Sequence, residues 1–275
     1  MIRPAAIRTT KTISVTSGKG GVGKTSILCN MALELASKGA KVLILDGDFG
    51  MANVDLMFGL RAESNLWDVV SGRLMLEDVV MSVTDNIDLI PGGSGVYELQ
   101  GLGVVEKYSL LQQIAELEKQ YDYLLVDTAP GIADNVLYLN AAADQTVVIV
   151  TPDPASITDS YALIKVLSER YRETRFSVLC NQVKDEREGH RLFNRLSDVA
   201  AEYLTVRLEY LGSVSMDLSM RQATKTQQLV LEAFPGSVAG TEIQKLAKNL
   251  TSYPPASEAR GGMRFFWNQL VGVAL

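Results

Sequence analysis

The sequence predicts a doubly wound α/β fold: a mostly parallel sheet with helices on both faces. Three observations carry this. Short apolar runs rich in β-branched residues alternate with helix-length amphipathic segments, the first run leads directly into a glycine-rich turn and a helix, and a later run ends in a single carboxylate at Asp127. Continuous apolar strands of this kind suit a parallel sheet covered on both faces. Such sheets take ligands at the carboxyl ends of their strands.

The predicted strands are residues 12–16, 41–45, 86–90, 123–126, 146–150, 176–180 and, on a weaker pattern, 208–211. Between them Ile27, Leu28, Met31, Ala32 and Leu35 fall at helical spacing, as do Leu110, Leu111, Ile114 and Leu117. Tyr161, Ile164, Lys165 and Ser168 mark a further helix after Ser156. Tyr253-Pro254-Pro255 and Gly261-Gly262 interrupt helix formation and read as a linker. The expected organisation is an N-terminal tail at 1–11, one domain over 12–251, a linker over 252–262 and a terminal helix over 263–275.

Composition narrows the function. The 275 residues include 26 Lys+Arg and 32 Asp+Glu, a formal charge of −6, which argues against nonspecific nucleic-acid binding as the main role. Apolar content of 47% with 21% charged residues is that of a globular chain and excludes disorder as a whole. No export signal is expected, and no apolar stretch reaches the ~20 residues of a bilayer span, so membrane contact would be peripheral. Cys29 and Cys180 lack metal-site spacing, and a reduced cytosolic pair is expected. His190 is the only histidine, so a Ser-His-Asp or Cys-His machine would have to use it; it reads as a surface residue.

The chemistry begins at Gly18-Lys19-Gly20-Gly21-Val22-Gly23-Lys24-Thr25. One reading is G-x-G-x-x-G, a dinucleotide fingerprint with Asp46 downstream, which would make an oxidoreductase. The other is G-x-x-x-x-G-K-T, a phosphate-binding P-loop. The Lys-Thr pair favours the second, because Lys24 can neutralise β- and γ-phosphates and the Thr25 hydroxyl can ligate Mg²⁺. Gly18, Gly20, Gly21, Val22, Gly23, Lys24, Thr25 and Ser26 are therefore the expected phosphate-binding residues. The strand ending at Asp127 supplies a metal-shell carboxylate, and in Thr128-Ala129-Pro130-Gly131 the Gly131 amide is expected near the γ-phosphate. Asp46 and Asp48 end the second strand and are expected to face the same crevice.

At these motifs the chain resembles the MinD/ParA class of P-loop ATPases, whose deviant loop carries an early lysine, as Lys19 is here. The resemblance runs from about residue 12 to 247. It implies ATP/ADP and Mg²⁺ as ligands, and an ATP-dependent homodimer in which Lys19 reaches the partner's nucleotide. It further implies that Asp48 positions or deprotonates the attacking water, that Asp46 and Asp127 lie in or near the metal shell with Thr25, and that Asn181 contacts adenine. Lys19, Lys24 and Asp48 are thus the implied catalytic residues. Within the class, Pro91-Gly92-Gly93-Ser94-Gly95, residues 152–165 and Glu188-Gly189-His190-Arg191-Leu192-Phe193 resemble the FlhG/FleN family of flagellar-number regulators.

That resemblance implies a cytoplasmic protein on the inner face of the inner membrane, placed at a cell pole. Its implied partners are an FlhF-type GTPase, a flagellar switch or C-ring protein, or a flagellar transcriptional activator. The alternative within the class is a MinD- or ParA-like positioning ATPase with another cargo. Ser215 and Leu229 stand where the family usually has proline, and an N-terminal D-Q-A-x-x-L-R element found in some FlhG proteins is lacking. In the terminal segment Met263, Phe266, Trp267, Leu270, Val271 and Ala274 share one helical face. Phe266, Trp267, Leu270 and Val271 are its expected lipid contacts, with only Arg260 and Arg264 to attract anionic headgroups.

Overall fold

A single eight-stranded sheet organises the described residues, which in this computed structural model are 10–48, 50, 52–93, 103–252 and 262–272. The strands are β1 (Lys11–Thr16), β2 (Val42–Gly47), β3 (Met81–Thr84), β4 (Ile87–Ile90), β5 (Tyr123–Thr128), β6 (Gln145–Val150), β7 (Arg175–Val183) and β8 (Arg207–Ser215). Their order is β3-β4-β2-β5-β1-β6-β7-β8, with only β3–β4 antiparallel. The chain leaves β1 toward the β5 side and later leaves β6 toward the opposite edge. The direction of winding reverses at β1, which opens a crevice at its carboxyl end.

The helices are α1 (Lys24–Ser37), α2 (Val54–Met57), α3 (Leu66–Val70), α4 (Leu76–Val79), α5 (Val104–Glu118) and α6 (Asp134–Ala142). They continue with α7 (Pro154–Tyr171), α8 (Glu186–Tyr203), α9 (Leu218–Lys225), α10 (Val230–Ala233), α11 (Val238–Thr251) and α12 (Gly262–Leu270). Strand periodicity sorts the core onto two faces. Ile13, Val15, Val42, Ile44, Val147 and Ile149 pack against α1 and α11, through residues such as Ile27, Met31, Ile243 and Leu246. On the reverse face, Leu43, Leu45, Leu124 and Val126 meet α5, while Val148, Val150 and Val178 meet α7 and α8. Where β1 faces α6 the layer is polar: Ser14 Oγ donates to Thr146 Oγ1 at 3.3 Å and Asn140 Nδ2 donates to Thr16 Oγ1 at 3.2 Å.

Two departures from the strand prediction have physical causes. Met81–Thr84 pairs antiparallel with β4 across a tight turn, and as a four-residue, half-exposed edge strand it has too short an apolar pattern to register. β7 and β8 run on into polar residues, with Asn181 opposite Val214 and Val183 opposite Ser215, because backbone pairing continues after the apolar run stops.

The terminal segment bears on a third expectation. Met263, Phe266, Trp267, Leu270 and Val271 are fully or almost fully buried, and α12 lies against α5 and α6 over Leu110, Ile114, Leu117 and Leu139. The Gly262 N–H donates to Asp144 Oδ2 at 3.2 Å and fixes where the helix begins. In this conformation the four expected lipid contacts face the protein, since an apolar groove satisfies the same side chains as an acyl layer. Residues 253–261, Arg260, the Arg264 side chain and Ala274 lie outside the described residues, as do 1–9, Ser94 and Gly95.

Trp267 therefore reports docking directly. In a Trp67→Phe background, Trp267 emission is expected to be blue-shifted and poorly quenched by acrylamide. Ile114→Asp should red-shift it and raise the quenching constant several-fold.

Candidate active site

Three elements hold the glycine loop. Its first glycine is pressed against α7: a Cβ on Gly18 would fall 2.1 Å from the backbone carbon of Asp159. At its far end Gly23 adopts a left-handed φ of +89°, and a Cβ there would meet Asn181 Nδ2 at 2.6 Å. Asn181 Nδ2 donates to Val22 O at 2.7 Å, fastening the loop to the end of β7. From Gly23 the chain turns straight into α1, with Lys24 and Thr25 in its first turn.

The register between β1 and β5 places Asp127 opposite Val15, at the root of this loop. Thr25 Oγ1 donates to Asp127 Oδ2 at 2.5 Å, while Asp127 Oδ1 is buried with no hydrogen-bond partner among the described residues. Burial pushes the Asp127 carboxyl up to about 7, helped by the nearby Asp46 and opposed by Thr25 and Lys24. Burial also lowers the Lys24 ammonium below its ordinary range, against the attraction of Asp127 and Asp48. An orphaned carboxylate oxygen beside a hydroxyl is a hard-donor set that suits Mg²⁺. Among the described residues no cluster of three or more His, Cys, Asp or Glu could hold a metal.

Two expected site residues are already engaged. Asp46 accepts the N–H groups of Asp48, Asn53 and Val54 at 3.1, 2.9 and 3.1 Å, so it organises the loop carrying Asp48 instead of presenting a free oxygen to the metal. Burial raises its carboxyl to about 6. The Gly131 N–H donates to Ser17 O at 2.9 Å and is therefore not directed at a phosphate in this conformation. Asp48, half-buried just past β2, is near enough to Lys24 and Asp127 to act on both electrostatically.

Lys19 forms an ion pair with Asp153, a residue that sequence reasoning assigned no role. Asp153 also caps α7 by accepting the Ala155 N–H at 2.9 Å, and its carboxyl is held below the usual range chiefly by Lys19. Two residues on from Pro154, Ser156 Oγ accepts the Thr151 N–H at 3.0 Å at the end of β6. The 152–165 stretch thus has a local purpose: it seats Gly18 and binds Lys19. The unusual specificity of that stretch was the available signal. His190 is exposed and stacks on Tyr210, with ring centroids 4.2 Å apart. Both cysteines are buried, and burial pushes Cys180 up to about 12, so neither is a nucleophile.

The raised Asp127 carboxyl gives a pH dependence of known sign. Between its ordinary value of 3.8 and about 7 the folded chain binds this proton more tightly than the unfolded chain. That contribution to ligand-free stability is complete at the acid end and is lost as pH rises through 7. A divalent ion must displace the proton, so Mg²⁺-dependent nucleotide binding should strengthen by up to about tenfold from pH 6 to 8. Asp127→Asn should abolish this increment in a titration at both pH values.

Comparisons with known proteins agree with this geometry. A family model described as an AAA domain matches residues 10–178. The chain is 40% identical over 259 residues to the antiactivator FleN of Pseudomonas aeruginosa, covering 94% of this chain and 92% of that protein. It is 34% identical over 245 residues to the flagellum site-determining protein YlxH of Helicobacter pylori, covering 88% and 82%. Among solved structures, the septum site-determining protein MinD of Pyrococcus horikoshii, complexed with Mg-ADP, superposes with a TM-score of 0.69 at 23% identity over 88% of this chain and 96% of that one. A P-loop seated between α7 and β7, a strand-end aspartate bonded to its threonine and near-full-length likeness to FleN together place the chain in the FleN/FlhG branch of the MinD/ParA-type P-loop ATPases.

Proposed function

We propose that this ATPase is a nucleotide-switched dimer that limits the number and placement of flagella from the cytoplasmic face of the inner membrane. The observation that carries the reading is the likeness to FleN and YlxH across more than four-fifths of the chain. FleN's name as an antiactivator favours a flagellar transcriptional activator as partner. An FlhF-type GTPase or a flagellar switch protein is the other class to test. A polar location follows from the same reading. Among the described residues no helix is long and apolar enough to cross a membrane, so attachment in this scheme falls to α12.

The chain's own groups divide the work. Backbone amides of residues 18–23 and the Lys24 ammonium bind the phosphates, and Asn181 borders the base. Mg²⁺ held by Thr25 and Asp127 would neutralise phosphate charge. Asp48, carried on the loop that Asp46 organises, accepts the proton of the attacking water or orients it. Lys19 must leave Asp153 to reach the nucleotide of a second subunit, so the Lys19–Asp153 pair marks the resting monomer.

The docked tail belongs to the same resting state. Burying Phe266, Trp267 and Leu270 favours docking by roughly 1.5–3 kcal/mol per side chain. The Trp267 Nε1–H, however, is buried without an acceptor among the described residues, which costs about 1–3 kcal/mol. A lipid interface offers that indole a wet edge and an apolar bed together. Two tails on one dimer then bind with an avidity about 10²- to 10⁴-fold above one.

Light scattering tests the switch. The Asp48→Ala protein should double in mass with ATP and Mg²⁺ but not with ADP, and Lys19→Ala or Lys24→Gln in that background should stay monomeric; a monomer throughout would refute the dimer. Asp153→Ala should dimerise at a lower ATP concentration, because Lys19 is released. Sedimentation with anionic vesicles should carry down the ATP form of Asp48→Ala, and Trp267→Glu should leave it in the supernatant. Cells lacking the gene should carry extra flagella, corrected by the parent chain and not by Lys24→Gln.

A further inference from the structure

A cavity of about 360 Å³ opens beside the P-loop, with Gly23 and Ser26 in its lining. Gly23, Ser26 and Asn181 form one wall, and Ser215, Met216 and Arg221 form the other. A nucleotide whose phosphates lie in the loop has its base here, and the role inferred for the second wall rests on that reading. This wall is the end of β8, which among the described residues is an edge strand with a strand neighbour on one side only. Such an end frays unless something outside the sheet holds it.

Glu242 of α11 supplies that hold. The Ser215 N–H donates to Glu242 Oε2 at 2.7 Å and the Ser215 hydroxyl donates to Oε1 at 2.8 Å, so one carboxylate takes both donors of one residue. A reciprocal tie runs the other way: Asp217 accepts the Ser219 N–H at 2.8 Å with one oxygen and the Ala239 N–H, at the start of α11, at 3.1 Å with the other. The Met216 N–H donates to Val183 O at 2.7 Å, which closes the wall against β7. Proline at position 215 would fix φ but has no N–H and no hydroxyl. With serine there, φ is not locked by a ring and the wall's position depends on the partners of its N–H and hydroxyl. Glu242 itself does not line the cavity, so it acts through Ser215.

We propose that Glu242 is a positioning residue for the nucleotide base: its two-pronged bond to Ser215 sets the distance between the β8 wall and Asn181, and so the affinity for the base but not for the phosphates. Charged hydrogen bonds of this kind are the stronger class. Losing both should widen the pocket without touching Lys24, Thr25 or Asp127.

The test compares ADP with pyrophosphate, which carries the phosphates and no base, by calorimetry on the full-length chain. The parent should bind ADP far more tightly than pyrophosphate. Glu242→Ala should weaken ADP about tenfold and leave pyrophosphate unchanged, a pattern that general loss of fold would not give. Ser215→Ala, which keeps the N–H bond and loses the hydroxyl, should weaken ADP about threefold. Glu242→Gln, whose amide can still accept the N–H and meet the hydroxyl, should restore most of the affinity. If Glu242→Ala keeps the parent's preference for ADP, or weakens ADP and pyrophosphate equally, the positioning role is overturned while the base pocket stands. If the parent itself binds ADP and pyrophosphate alike, the base does not lie in this cavity and both readings fall.

Discussion

The carboxylate of Asp127, dehydrated at the root of the P-loop, is the constraint on which the rest of the structure depends. Parallel pairing of β5 with β1 delivers it there, and α1 brings Lys24 and Thr25 to the same spot. Among the described residues only one of its oxygens finds a hydrogen-bond partner. A dehydrated carboxylate with one oxygen unpaired among the described residues, beside an ammonium that burial also penalises, is poorly accommodated in the ligand-free chain. A phosphate with a divalent ion supplies what both lack. Affinity for the nucleotide complex is therefore built from the cost that folding imposes on these two side chains.

The surrounding structure can be understood as support for that arrangement. Gly18 is small because α7 lies directly against it, and Gly23 is left-handed because the chain must enter α1 beside Asn181. Asp46 accepts three backbone amides, those of Asp48, Asn53 and Val54, and so ties residues on both sides of the turn after β2 to the strand end. Two neighbouring carboxylates thus differ in their environments, not their residue type: Asp46 is buried and bonded to backbone amides, and Asp48 is half-buried beside it.

Lys19 and the terminal helix share a logic at opposite ends of the chain. Each is held inside the chain, Lys19 by Asp153 and the tail by the groove over Ile114, and in the proposed switch these contacts stand in for a second subunit's phosphate and for a lipid layer. Neither substitute is a perfect match. The Lys19–Asp153 pair is half-exposed and so is worth little on its own, and the Trp267 indole N–H is left unpaired in the groove among the described residues. Weak internal contacts of this kind are what a switch requires, because an external partner needs only a modest differential affinity to displace them.

By itself the sequence determined the parallel α/β class, the P-loop with Lys24 and Thr25, the carboxylate at Asp127 and a helix near the end of the chain. These are legible because each is a local pattern: a period of two or 3.6, a glycine spacing, a strand that ends in an acid. Only the tertiary structure decided that Asp46 is consumed by its own loop, that Gly131 bonds Ser17, that Lys19 rests on Asp153 and that the tail faces inward. It also extended β7 and β8 into polar residues and added the β3 edge. Most of these depend on which groups from distant parts of the chain arrive at one place. Hydrogen bonds and apolar contacts between residues far apart in the chain leave no periodicity in the sequence that could be read beforehand.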